Sequence, residues 1–261
     1  MTSVDLGTLT LRRIDKEPEE PDSDDEGFVG EEEEAAERYF KEVRYEIVES
    51  SGRIVGTVNL WFVNLLEIEE DGEDFFLILD DHSRTDFAAT LFDDEGQLKS
   101  RFGREGTGVW KKEEMEDVCS IVYLEDMRVE ASLRGQGIGS WVLRRLFEEK
   151  NDDDLSLMSL LYTYPSSLHS EWPAWNHDQP DPHKAEKEAM TQRLLKFYRR
   201  AGFRRVGTTP YFCCARYSHP SQAIHPDFDA AEVRSPDEPV NPGDARLFEV
   251  AAAQLFGRGR Q

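Results

Sequence analysis

Apolar and polar residues alternate through residues 4–14, the period of a half-buried strand. The alternation returns in residues 38–49 and 53–64, rich in β-branched and aromatic side chains and separated by Ser50, Ser51 and Gly52, so these two segments predict a hairpin. In its second arm Ile54, Gly56, Val58, Leu60 and Phe62 share one face, and Val55, Thr57, Asn59, Trp61 and Val63 the other. Residues 75–79 are a further apolar run, and residues 81–98 hold at most a short helix around 85–92. Residues 120–129 predict a strand that leads into Gly135, Gly137 and Gly139. The period then changes: Ile138, Trp141, Val142, Leu146 and Phe147 are spaced as one helical face, which predicts a helix over 138–150. Residues 155–163 read as a strand, 184–200 as a helix stopping at Gly202, and 203–207 with 210–217 as a closing hairpin.

With 261 residues the chain can bury a substantial core. Its organisation reads as a strand-like segment (1–15), an acidic insertion (16–37), a domain (38–217) and a tail rich in Pro and acidic residues (218–261) with a short apolar helix over 245–256. Residues 16–37 carry twelve carboxylates and have almost nothing to bury, a composition that stays disordered because ordering entropy goes uncompensated. The formal charge of −23 argues against a nucleic-acid surface, which needs clustered Lys and Arg, and favours an amine-bearing or cationic partner. No apolar run approaches the roughly 18 residues of a membrane span, and no secretory layout opens the chain, so a cytoplasmic location is expected, with the nucleus as the other compartment open to it.

Cys119, Cys213 and Cys214 match neither a disulfide framework nor a zinc knuckle. Residues 165–183 form a long loop with Trp172 and Trp175, which could wall a site for a cation. Its histidines, His169, His177 and His183, fit no compact ligand spacing, so no metal is expected.

A strand feeding a glycine-rich turn and then a helix makes an anion site, because bare N–H groups converge with the unpaired first-turn donors of the helix. Here the spacing is G-x-G-x-G with no following Lys, which excludes both the dinucleotide fingerprint and the P-loop.

Arg134, Gly137 and Gly139, after a strand ending in Val129, resemble the signature of the GNAT-type N-acetyltransferases. The stretch LLKFYRRAGFRRVG, residues 194–207, is similar to the last helix and following strand of that family. The resemblance covers residues 38–217. It implies an α/β (α+β) fold: a curved, mixed, largely antiparallel sheet, splayed between two central parallel strands, with helices on both faces. It further implies acetyl-CoA as cosubstrate, its pyrophosphate held by main-chain amides of Gly135, Gln136, Gly137, Ile138, Gly139 and Ser140. A side chain at Gly137 or Gly139 would then hold the phosphates off these donors. Met127 and Val129 would offer main-chain groups to the pantetheine arm. Three features depart from the family pattern: Ala131 stands where proline is common, Thr191 where asparagine often contacts the coenzyme, and the 165–183 loop is long.

The implied reaction is direct acetyl transfer to a primary amine. An alkyl ammonium with a pKa of about 10.4 must first lose a proton, so a base is required. Candidates are Glu125 and Asp126, which face opposite sides of a strand; Glu125 is preferred because it shares a parity with Met127 and Val129. Tyr198 falls where the family's phenol acts as general acid. The alternative is a non-catalytic acyl-CoA-binding or regulatory module of the same fold.

Overall fold

A computed structural model describes residues 4–14, 38–79, 82–115, 120–149, 152–166, 172 and 181–233. The expectations for the acidic insertion, for Trp175, His169, His177 and Cys119, and for a helix over 245–256 fall outside these residues.

Seven strands form one mixed sheet: β1 (Thr10–Ile14), β2 (Phe40–Val48), β3 (Ile54–Asn64), β4 (Ser120–Val129), β5 (Leu160–Thr163), β6 (Arg204–Arg205) and β7 (Phe212–Ala215). Their spatial order is β1-β2-β3-β4-β5-β7-β6, antiparallel throughout except for the parallel pair β4–β5. A parallel pair needs a crossover. Helices α4 (Ile138–Glu148) and α5 (Asp153–Leu157) lie in that connection. Earlier in the chain come α1 (Leu65–Asp71), α2 (Phe75–Ile78) and α3 (His82–Leu91); later come α6 (Lys184–Arg200) and α7 (Pro220–Ala223).

Local chemistry sets several ends. Asn64 and Asp74 cap α1 and α2 by accepting main-chain N–H groups, and Gly72 closes α1 in the left-handed region at φ 70°. In α4 the positions Ile138, Val142, Leu143 and Leu146 are buried, one face of a 3.6-residue period. Each such side chain contributes roughly 1.5–3 kcal/mol of burial.

The sheet separates two cores. Beneath α4, α5 and α6 lie Val58, Leu60, Phe62, Val122, Leu124, Leu161 and Tyr198. Beneath α1, α2 and α3 lie Trp61, Val63, Phe87, Tyr123, Tyr162 and Tyr211. The faces expected for β3 hold except at Val55, which joins Val58 in the first core. The register explains it: Val48 pairs with Ile54 and Ile47 with Gly56, so Val55 is the extra residue of a bulge. The strand expected over 155–163 starts only at Leu160. Asp152 accepts the N–H groups of Asp154 and Leu155 and nucleates a helical turn before it.

The described part of the tail, up to residue 233, is docked. Asp229, with a side chain 0% exposed, accepts from Arg199 Nε at 2.8 Å and from the Arg205 N–H at 3.1 Å. The buried Arg204 and Arg205 side chains donate to the carbonyls of Ile224 and Ala230, and His219 stacks on Trp110 with ring centres 4.6 Å apart. Among the described residues no helix is long and apolar enough to cross a membrane.

Candidate functional site

The centre of interest is the fork where β4 and β5 part. Their pairing covers only Val122–Leu161, Tyr123–Tyr162 and Leu124–Thr163, while β4 runs on to Val129 against β3. Beyond Leu124, then, the side of β4 away from β3 has no strand partner among the described residues.

That stretch opens with a second bulge. Asn59 pairs with Asp126 and Leu60 with Leu124, leaving Glu125 as the extra residue. The bulge resets the alternation that the sequence argument used. Leu124, Met127 and Val129 all meet the core beneath α4 and α6, although the first two are an odd three positions apart. Glu125 is exposed, whereas the Asp126 side chain is only 9% exposed. Asp126 Oδ2 accepts from Asn59 Nδ2 at 3.1 Å and from Arg128 Nη2 at 3.3 Å, and Oδ1 is buried with no hydrogen-bond partner. An ionised oxygen so placed is costly unless a donor completes it. The parity that favoured Glu125 does not run through this stretch, because a bulge adds one residue; of the two carboxylates Asp126 is the buried one, and Glu125 is exposed but close enough to Tyr123 to raise its phenol.

Main-chain direction follows from one bond. The Glu130 N–H donates to Val55 O at 2.9 Å, toward β3; alternation along an antiparallel pair then turns Arg128 toward β3 and Met127 and Val129 away, into the fork. The Val129 carbonyl already accepts Arg134 Nε at 3.0 Å, which ties the glycine turn to the strand end.

In the turn, Gly135 and Gly137 sit at φ 80° and 88°, where an L side chain is strained, and Gly137 is the N-cap of α4. Gly139 also meets a packing demand. A Cβ there would stand 3.1 Å from Phe197 Cζ and 3.3 Å from Met127 Cε, so this glycine lets α4 approach α6 and β4. Gln136 is held by Val4, whose N–H donates to its Oε1 at 3.1 Å. From Gly135 to Ser140 no main-chain N–H donates to an acceptor among the described residues; the first bond of the helix is Trp141 N–H to Gly137 O at 3.0 Å. Gly135, Gly137 and Ser140 are exposed. A row of free donors at the N-terminus of an 11-residue helix is a site for negative charge.

Tyr198, on α6, is buried in the core beneath α4 and α6, near Thr163, the last residue of β5. Thr163 is 1% exposed, and its Oγ1 donates to Leu124 O at 3.1 Å. Burial pushes the Tyr198 phenol up to about 12; the nearby Thr163 hydroxyl pulls it down and the Asp126 charge adds to the rise. The Tyr123 phenol, raised mainly by burial, has the phenols of Tyr198, Tyr164 and Tyr211 as neighbours. Its ring stacks on Trp61 at 4.8 Å and touches Phe87 at 4.5 Å. Near the point where the strands part, Asp126 and Tyr198 influence each other, as do the phenols of Tyr123, Tyr164, Tyr198 and Tyr211. Trp172 lies by the start of α6, under Lys187 Nζ at 5.7 Å, so the cation it meets is the chain's own.

Sequence reasoning missed Asn59, Thr163 and the tyrosines around Tyr123. Thr163 left one signal, a hydroxyl ending an otherwise apolar run. Comparison of the chain with protein-family models, curated proteins and solved structures finds no match.

Proposed function

We propose that this chain is a GNAT-type N-acetyltransferase that moves an acetyl group from acetyl-CoA to a primary amine. The observation that carries the proposal is the row of unpaired N–H groups from Gly135 to Ser140 at the start of α4, reached from a strand whose main chain points into a fork. Those donors suit a pyrophosphate, and the outward groups of Met127 and Val129 suit the amide-bearing arm that follows it. The order of strands, with one parallel pair parting at the centre of an otherwise antiparallel sheet, agrees with this fold.

In this reading Asp126 takes a proton from the acceptor ammonium, through water, so that the neutral nitrogen attacks the thioester carbonyl. A carbon–nitrogen bond forms, the carbon–sulfur bond breaks, and the Tyr198 phenol gives its proton to the departing thiolate. A phenol held up to about 12 stays protonated at neutral pH and is available as an acid. Phenols and aromatic faces around Asp126 offer the acceptor cation a desolvated flank. The overall negative charge favours its encounter.

The test incubates purified protein with acetyl-CoA and a panel of small amines and basic peptides, reading thiol release together with coenzyme affinity by calorimetry. Turnover on any amine supports the proposal. Neither thiol release nor coenzyme affinity refutes it, and affinity without turnover on any amine replaces it with a coenzyme-binding module.

A further inference from the structure

Residues 4–14 lie outside the stretch that resembles the acetyltransferases, yet they reach from one end of α4 to beyond the other. Val4 meets Gln136 just before the helix, and Arg13 Nη1 donates to Asp154 Oδ2 at 2.8 Å past its far end. Between these points Leu9 is buried, and Val4, Leu6 and Leu11 pack against the core beneath α4. The start of the segment is stiffened by its own bonds. Asp5 Oδ1 accepts the Gly7 N–H at 2.9 Å, and the Asp5 carbonyl accepts the Thr8 N–H at 3.0 Å and the Thr8 hydroxyl at 2.9 Å. Val4 is thus presented to the glycine turn by a fixed bend.

Gln136 spends both ends of its carboxamide on the protein. Its Oε1 accepts the Val4 N–H at 3.1 Å, and its Nε2 donates to Ser132 O at 3.4 Å. Leu6 lies against the next residue, its Cδ1 3.4 Å from where a Gly137 Cβ would stand. On the other flank Arg134 Nε holds Val129 O at 3.0 Å. These tethers matter because the turn has few of its own. Gly135 and Gly137 sit at positive φ, and from Gly135 to Ser140 no main-chain N–H meets an acceptor among the described residues. Glycines without ladder bonds reach many conformations, so holding one of them removes an entropy cost that a ligand would otherwise meet on binding.

We infer that Gln136 is a positioning residue for the coenzyme: its carboxamide clamps the glycine turn between Val4 and Ser132, so that the segment opening at Val4 sets the affinity of the diphosphate site. The inference rests on the acetyl-CoA reading of the turn. In it the main chain of the turn grips the phosphates, while the Gln136 side chain faces the protein and keeps that main chain in place.

The experiment uses the full chain and reads acetyl-CoA affinity by calorimetry. Gln136→Met keeps the length of the side chain and removes both hydrogen bonds; Val4→Pro removes only the N–H that Gln136 accepts. Losing a neutral hydrogen bond that orders the site should weaken acetyl-CoA about fivefold in each. The double variant should bind no more weakly than Gln136→Met alone, because both changes open one clamp. In turnover the loss should fall on KM for acetyl-CoA and not on kcat. Leu11→Ala is the packing control: it trims the contact of the same segment with the core and should lower the urea midpoint with affinity intact. The unmodified protein supplies a reading that needs no variant. Coupling is reciprocal, so saturating acetyl-CoA should slow hydrogen exchange of the Val4 amide about fivefold. Wild-type affinity in Gln136→Met, an additive double variant, an equal affinity loss in Leu11→Ala, or Val4 exchange indifferent to acetyl-CoA overturns the inference. Unmodified protein with no affinity for acetyl-CoA overturns the coenzyme reading of the turn and this role with it, whereas unmoved affinity in the variants of a protein that does bind overturns the role of Gln136 alone.

Discussion

Replacing Gly137 by alanine separates the backbone demand of the glycine turn from its proposed ligand. At φ 88° an L residue costs about 1–2 kcal/mol, whatever the space around it. Space is adequate: the nearest atom to the added methyl is Leu6 Cδ1 at 3.4 Å, an ordinary contact. The stability loss should therefore equal the backbone term alone, about 1–2 kcal/mol in urea unfolding. Gly52, in the hairpin turn between β2 and β3, provides the matched control, with φ 85° and nothing within 4 Å of a Cβ. Its alanine variant should lose the same stability. Coenzyme binding should divide the two. A chain that relaxes residue 137 toward negative φ swings the peptide planes on either side, and with them the N–H groups of Gly137 and Ile138. Acetyl-CoA affinity measured by calorimetry should then fall at least tenfold, about 1.4 kcal/mol, in Gly137→Ala and stay unchanged in Gly52→Ala. Equal destabilisation of both variants with wild-type affinity in each would refute the assignment of the phosphates to this turn.

Tyr198→Phe should keep acetyl-CoA affinity and fold while kcat drops by roughly two orders of magnitude, the scale of a lost general acid, read by thiol release. Asp126→Asn should lower kcat/KM comparably without loss of stability, since an amide still fills the space beside Asn59; unchanged kinetics would return the base to Glu125. Asp229→Ala should destabilise the protein by about 3 kcal/mol in urea unfolding, because it strands the Arg199 guanidinium and the Arg205 N–H that hold the tail. Acid stability should depend on Asp152. Burial alone would raise its carboxyl, but hydrogen bonds from Tyr45, the Leu155 N–H and Arg13, with the Arg13 charge, outweigh burial and hold it below the ordinary carboxylate value. A folded pKa lower than the unfolded one gives stability that is complete above the unfolded value of about 3.9 and is lost as pH falls through the folded one. Urea midpoints measured from pH 2 to 7 should accordingly fall less steeply at the acid end in Asp152→Asn than in the wild type.

Periodicity alone determined much of the framework: the hairpin of β2 and β3, the exact span of β4, the helices that follow the glycines and precede Gly202, and the closing pair of β6 and β7. These elements are legible because one face of each is buried, and burial imposes a period of two or 3.6 on the residues that face it. The glycine turn was legible too, since positive φ at Gly135 and Gly137 disfavours a Cβ, whereas the tight approach of Gly139 to Phe197 and Met127 could be read only from the packing of α4 on α6 and β4. Which carboxylate lies buried was decided only by tertiary structure. A bulge is a matter of pairing between strands, so the extra residue at Glu125 that turns Asp126 inward exists only in the register of β4 against β3. Thr163 and Leu124 likewise meet only where two parallel strands part, a contact between segments far apart in the chain that no local pattern of hydrophobicity encodes.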